Sequence, residues 1–248
     1  MRSGSAGATE SASSPDNLST VARIGGIFRR PRATLKAVAG APRSAGLLAV
    51  LFVVPFAVSA ALFATDVGQQ ALVDHWERTA LAFGQPVDDA RYAELQALSR
   101  QGTTYAALTA LAAGPIAAVA LGALLFGIFT VARRGTASYR QVLAVVASAG
   151  VILALRSAVS APLSYARESI ASPTTLVGLL AMVDEASPSA RFLGLIDLFV
   201  LWWLVVLAIG IALLYRRPTR TMVLTFVGVY IGVALLLAGT MAALGGVP

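Results

Sequence analysis

Five apolar runs divide the chain, at 44–65, 105–132, 140–163, 192–215 and 220–245. A run of about 20 apolar residues crosses the ~30 Å hydrocarbon core of a bilayer as an α-helix. The pattern predicts five transmembrane helices, and an odd number places the termini on opposite sides of the membrane. Ahead of the first run, Leu18, Val21, Ile24, Ile27 and Phe28 recur at helical spacing, Pro31 opens a second short helix through Leu35 and Val38, and Gly40 closes it. These segments predict two amphipathic helices lying on the membrane surface. Residues 1–19 are small and polar without periodicity, and read as a disordered tail ahead of a membrane domain over 20–248. In the 66–104 loop, Val67, Leu72, Trp76, Leu81 and Phe83 fall along one side of an interfacial helix anchored by its Trp. In the 164–191 loop, the apolar stretch Leu176 to Val183 is too short to span and reads as an interfacial or re-entrant helix. The predicted fold is all-α, a polytopic bundle of five transmembrane helices with an amphipathic lead-in and short interfacial helices in the outer loops.

Composition fixes the environment. Hydrophobic residues make up 57% of the 248 and charged residues 12%, about half the usual charge content of a soluble domain. The chain is therefore an integral membrane protein. Its basic residues orient it. Seven precede the first run (Arg2, Arg23, Arg29, Arg30, Arg32, Lys36 and Arg43), and the 133–140 and 216–220 turns hold three each, which makes thirteen on one side. The other side has five, three in 66–104 and two in 164–191. The positive-inside rule then predicts a cytoplasmic N-terminus and an outer C-terminus in a cell (inner or plasma) membrane. Arg23, Arg29, Arg30, Arg32 and Lys36 are expected to face lipid headgroups from the lead-in. The net charge of +7 is spread along membrane edges and not gathered on one soluble face, which argues against a nucleic-acid partner.

Few residues are left for chemistry. There is no Cys and one His, His75, beside Asp74, too few ligands for a transition metal. No metal, cofactor or catalytic motif is expected, and the chain is not expected to be an enzyme. Two charges lie inside apolar runs, Arg156 in VILALRSAVSAP and Asp197 in GLIDLFVLWW. Counted inward from residues 163 and 192 at 1.5 Å per residue, both lie about 8–10 Å below the outer boundary on consecutive antiparallel helices. An isolated charge there is costly, so they are expected to form an intramembrane ion pair, either a structural clamp or part of a substrate or proton path. Gly228 and Gly232 form a G-x-x-x-G step, and Gly114, Gly122 and Gly127 thin the second span. Packing within the bundle is the leading reading of these glycines and a homo-oligomer contact the other. Pro55 and Pro115 are expected to kink their helices.

The order of ARIGGIFRRPRATLKAVAGAP, LFGIFTVARRGTASYRQVLAVVASAG and LGLIDLFVLWWLVVLAIGIALLY along five spans resembles the YIP family, the Ypt/Rab-interacting membrane proteins, in its bacterial branch, over roughly 20–245. The resemblance implies a multi-span membrane fold. Its eukaryotic members are ER and Golgi proteins of vesicle traffic whose cytoplasmic N-terminal regions are linked to Rab binding; the N-terminal tail of this chain is short and of low complexity. The function expected is that of a non-enzymatic integral membrane protein, membrane-organising or partner-binding, with the lipid bilayer around it and a protein partner met through the cytoplasmic N-terminal segment. The alternative is a small-solute or ion transporter, or a membrane subunit of a transport complex.

Overall fold

Helices follow one another along the chain as α1 (Thr20–Arg29), α2 (Pro31–Gly40), α3 (Ala45–Phe63), α4 (Asp66–Ala82), α5 (Asp89–Ser99), α6 (Gly102–Ala132), α7 (Tyr139–Ala166), the single turn α8 (Leu176–Leu179), α9 (Leu198–Leu214) and α10 (Thr219–Leu244). This is a computed structural model, and it describes residues 19–82, 84–170, 173–179 and 192–244. The tail at 1–18 and the part of the Leu176–Val183 stretch beyond Leu179 lie outside the described residues.

Local chemistry sets the helix ends. The Ser19 hydroxyl accepts from the Ala22 amide at 3.2 Å to open α1, and Pro31 occupies the first turn of α2. Ser138 and Gln141 form a capping box at the start of α7. Inside α6, Pro115 falls in a π-helical stretch, Ala112–Ile116. Proline lacks an N–H and crowds the preceding turn, and the wider π turn absorbs both defects without breaking the helix.

The centre of the bundle is α7. Of its apolar window 61% is buried, against 17% to 22% for α3, α6 and α10. Around it pack α3, α6 and α9, while α10 packs outside α9. Their core includes Leu51, Val145, Ile152, Leu207 and Ile211. A smaller core forms where α4 meets α3 and α6, from Leu62, Phe63, Leu72 and Ala106. Trp76, half-buried, packs edge-to-face on Tyr105 there, with ring centroids 5.3 Å apart, so the predicted interfacial helix is fastened to the bundle through its Trp. Large apolar side chains on the outside of α6 and α10, among them Leu108, Ile116, Leu224, Val229 and Leu236, are exposed. Such a surface is stable only against lipid, and the protein is a multi-pass membrane protein.

The predicted spans and the structure part company at two places. Among the described residues four helices, α3, α6, α7 and α10, are long and apolar enough to cross a bilayer, whereas the expected span at 192–215 is not one continuous helix: a helical turn at 192–194 ends at Leu195, and α9 then runs for 17 residues. That is about 26 Å, short of the ~30 Å core. The chain before it pairs with the outer loop: the Leu176 amide donates to the Ile196 carbonyl at 2.8 Å and the Leu198 amide to the Thr174 carbonyl at 3.2 Å. Non-helical backbone is tolerated at such depth when protein satisfies it. The lead-in also differs from a pair of surface helices. Leu35 and Val38 are fully buried, because α2 packs on α7 and α9 and Leu35 fills the space beside Gly210, which has no side chain of its own.

Candidate functional site

Asp197 is the residue at which the bundle's polar contacts converge. It is the N-cap of α9, with extended backbone, and so stands at a helix end and not inside a continuous helix. Its Oδ1 accepts from the amides of Phe199 (2.8 Å) and Val200 (3.3 Å). Its Oδ2 accepts from Arg156 Nε (2.7 Å) and from the Thr174 hydroxyl (2.6 Å). An ionised carboxylate offers about four acceptor sites, and these four donors occupy them. Its own amide donates to the Tyr230 hydroxyl at 3.1 Å, and that hydroxyl donates to the Leu195 carbonyl at 2.6 Å. One residue thereby joins α7, the outer loop, the start of α9 and α10. Asp197 is 4% exposed, so each of these bonds lies where leaving a donor unmet is expensive.

Beside the clamp lies a cavity of about 350 Å³, lined by Pro55, Gly114, Ala117, Gly150, Arg156 and Trp203 among others. Pro55 and the Pro115 π turn sit at its sides, and Arg156 with Ser157 gives it a polar end. Of the two tryptophans in the second turn of α9, Trp203 packs against the core while Trp202 is exposed and stacks edge-on to Phe28 of α1, with centroids 5.5 Å apart.

The Yip1 domain family model matches residues 25–242. The chain belongs to the Yip1 domain family. No curated protein and no solved structure matches it. The match runs from within α1 into the last turn of α10, so α2 and the Asp197 clamp both lie within the Yip1 domain.

Within the domain, the sequence-marked glycines divide. A Cβ on Gly114 would run into the Leu51 carbonyl, which makes that position a close contact of α6 with α3, whereas one on Gly122 would sit in ordinary contact with Leu143 at 3.5 Å. Gly127, Gly228 and Gly232 have nothing within 4 Å. The G-x-x-x-G step therefore does not pack the bundle, because α10 turns Met222 and Ala234 inward and leaves its glycine face outside. Two glycines that the sequence did not single out take that role. A Cβ on Gly150 would lie 2.9 Å from Leu51 Cδ1, and one on Gly210 would strike Val145.

The basic lead-in divides as well. Arg29, Arg30, Arg32 and Lys36 are exposed, but Arg23 is buried. Its guanidinium donates to the carbonyls of Arg43 (3.1 Å) and Ala41 (3.2 Å), satisfying backbone just past the end of α2. Arg23, just ahead of the matched residues, is an internal brace and not a headgroup contact. On α4, His75 stands apart from the clamp on the solvent side of the helix. The packed surroundings of the helix, and after them the Arg78 guanidinium, hold its imidazole below the ordinary value. Asp74, its neighbour, accepts from Gln70 Nε2 at 2.8 Å.

Proposed function

We propose that this Yip1 domain works without catalysis, as a membrane-organising or partner-binding protein of a cell membrane, with its N-terminus cytoplasmic and its C-terminus outside. The observation that carries the reading is the saturated Asp197 carboxylate. A residue that relays protons or coordinates a passing ion must offer a lone pair or exchange partners during the cycle, whereas all four acceptor sites here are met by donors from three parts of the fold. Arg156 and Asp197 act as a structural clamp. The exposed start of the lead-in's basic face, Arg29 and Arg30, is the surface that meets a partner from the cytoplasm, since the apolar face is already used by the bundle.

A second reading, a small-solute or ion transporter or a membrane subunit of one, is favoured by the cavity beside Arg156. Reconstitution separates the two. Proteoliposomes holding the full chain are expected to show ion and small-solute leak equal to empty vesicles, and photo-cross-linkers placed at exposed positions of 29–36 in intact cells are expected to capture a reproducible partner. Flux above empty vesicles that Asp197→Asn abolishes would overturn the clamp reading in favour of transport.

A further inference from the structure

Away from the clamp, at the opposite end of α9, two turns face each other. The α6–α7 turn contributes Arg133 and Arg134, the α9–α10 turn Arg216 and Arg217, and together with Phe129 and Tyr215 they line a cavity of about 510 Å³. On the far side of Arg216 a second cavity of about 610 Å³ is lined by Arg32 and Lys36 of α2 and by Gln141 of α7. Six cationic side chains thus border two adjoining cavities that share Arg216. We propose that this end of the bundle is a binding site for a phospholipid headgroup carrying two phosphates, one in each cavity.

Charge is the first support. The sequence has no Asp or Glu between Asp16 and Asp66, between Glu94 and Glu168, or after Asp197, so the elements that build the site bring no carboxylate to it. Among the described residues the ion pairs are Arg91–Glu94 and Arg156–Asp197, both elsewhere. Like charges gathered round a cavity repel one another, and a bound polyanion reverses the sign of that interaction. Orientation of the chain and the dipoles of the helix C-termini account for an excess of arginine on this side, but not for its convergence on a cavity.

The second support is the way the arginines are held. The Phe129 and Tyr215 rings stack with centroids 5.2 Å apart, and the Tyr215 and Thr130 hydroxyls are 2.8 Å apart. Arg133 lies over the Phe129 ring, 5.8 Å from its centroid. Arg134 and Arg216 each follow a helix end with φ +51°, the left-handed position where glycine is usual and other side chains cost about 1 kcal/mol. In both turns the next amide closes the helix, Gly135 to the Phe129 carbonyl at 3.1 Å and Arg217 to the Ala212 carbonyl at 2.9 Å. An arginine thus takes the same strained position in two turns on either side of one cavity, the second Arg of the pair in one turn and the first in the other.

Position selects lipid over a soluble anion. α6 has 31 residues, about 46 Å, which matches the ~40–45 Å from headgroup to headgroup and sets its last turn at headgroup level. Val131, two residues before Arg133, is 68% exposed and continues the outer face of α6 toward the acyl chains.

The test uses the purified full chain in a neutral detergent, with native mass spectrometry and thermal melting as readouts. The probes are cardiolipin, phosphatidylglycerol at twice the concentration to match its charge, phosphatidylcholine, and inorganic pyrophosphate. Cardiolipin is expected to bind tighter than phosphatidylglycerol and to raise the melting temperature, with pyrophosphate alone far weaker. Removing one arginine from the site is expected to weaken cardiolipin about fivefold. Arg216→Gly is the most informative variant, since it relieves the left-handed backbone and should melt higher than the parent while binding less lipid. Arg32→Gln with Lys36→Gln is expected to bring cardiolipin down to the level of phosphatidylglycerol, and Arg78→Gln with Arg100→Gln to leave it unchanged. Equal binding of the two lipids at matched charge, equal loss in the Arg78/Arg100 variant, or pyrophosphate binding as tightly as cardiolipin would each overturn the proposal, the last by making this a site for soluble phosphates.

Discussion

Replacing Asp197 with Leu removes side-chain contacts with α7, the outer loop and the start of α9 at once. The substitution removes an N-cap, worth about 1 kcal/mol, and takes from Arg156 its acidic partner, which in a fully buried pair costs about 3–5 kcal/mol. The Asp197 side chain is 5% exposed but that of Arg156 is 33% exposed, so water screens the guanidinium once the carboxylate is gone and the lower figure applies. The sum is about 4 kcal/mol, or a melting temperature lower by roughly 8–16 °C for a chain of this length. Arg156→Leu should cost less, about 2 kcal/mol, because Asp197 keeps its Thr174 hydroxyl and two amide donors. The double Leu variant leaves no charge behind at the clamp, so it should melt above Asp197→Leu alone. Thermal unfolding in detergent, followed by tryptophan fluorescence from Trp202 and Trp203 close to the clamp, measures all three. A double variant as damaged as the two single losses added together would refute the pairing energy reasoned here.

Tyr230→Phe deletes the hydroxyl that bridges the Asp197 amide and the Leu195 carbonyl, and should cost about 1–3 kcal/mol in the same melt. Gly150→Val should overpack against Leu51 and cost about 1–3 kcal/mol, whereas Gly228→Ala, with open space around it, should be neutral or stabilising by up to about 1 kcal/mol. Ser160 Oγ is buried with no hydrogen-bond partner among the described residues, so Ser160→Ala should melt at or slightly above the parent. Because the folded His75 imidazole has a lowered pKa, neutral His75 stabilises the fold above about pH 6.5 and that contribution fades as pH falls through the lowered value. The melting temperature should therefore decline slightly more toward pH 5 in the parent than in His75→Gln.

The helices were legible because apolar runs report burial directly, whether in protein or lipid. What the runs do not report is backbone conformation. Phe192, Leu193, Leu195 and Ile196 are as apolar as the helix that follows, yet the helical turn at 192–194 stops at Leu195, and the extended backbone at Asp197 and its neighbours pairs with the outer loop. A cue was present, since an Asp immediately ahead of an apolar run is an N-cap signature, but a carboxylate inside a span-length run reads first as a buried charge. Depth counting from residue 192 assumed one continuous helix, whereas the chain leaves the helix at Leu195 and α9 begins at Leu198. Thr174 and Tyr230 carry no local signal, because they reach Asp197 from 23 and 33 residues away. The glycines show the same limit. Spacing marked Gly228 and Gly232, but which face of a helix turns inward is decided by its neighbours, and those neighbours make Gly150 and Gly210 the close contacts. Arg23 looked like every other arginine of the lead-in until the end of α2 supplied carbonyls for it.

Hydrogen–deuterium exchange of the full chain in lipid, read at the amides of Asp197, Phe199 and Val200, addresses the clamp without any substitution. A saturated, water-excluded clamp requires these amides to exchange as slowly as those in the middle of α9, even though they begin the helix. Exchange as fast as at an ordinary frayed helix end would mean that water reaches Asp197, and a wet, opening site would take the place of the structural clamp.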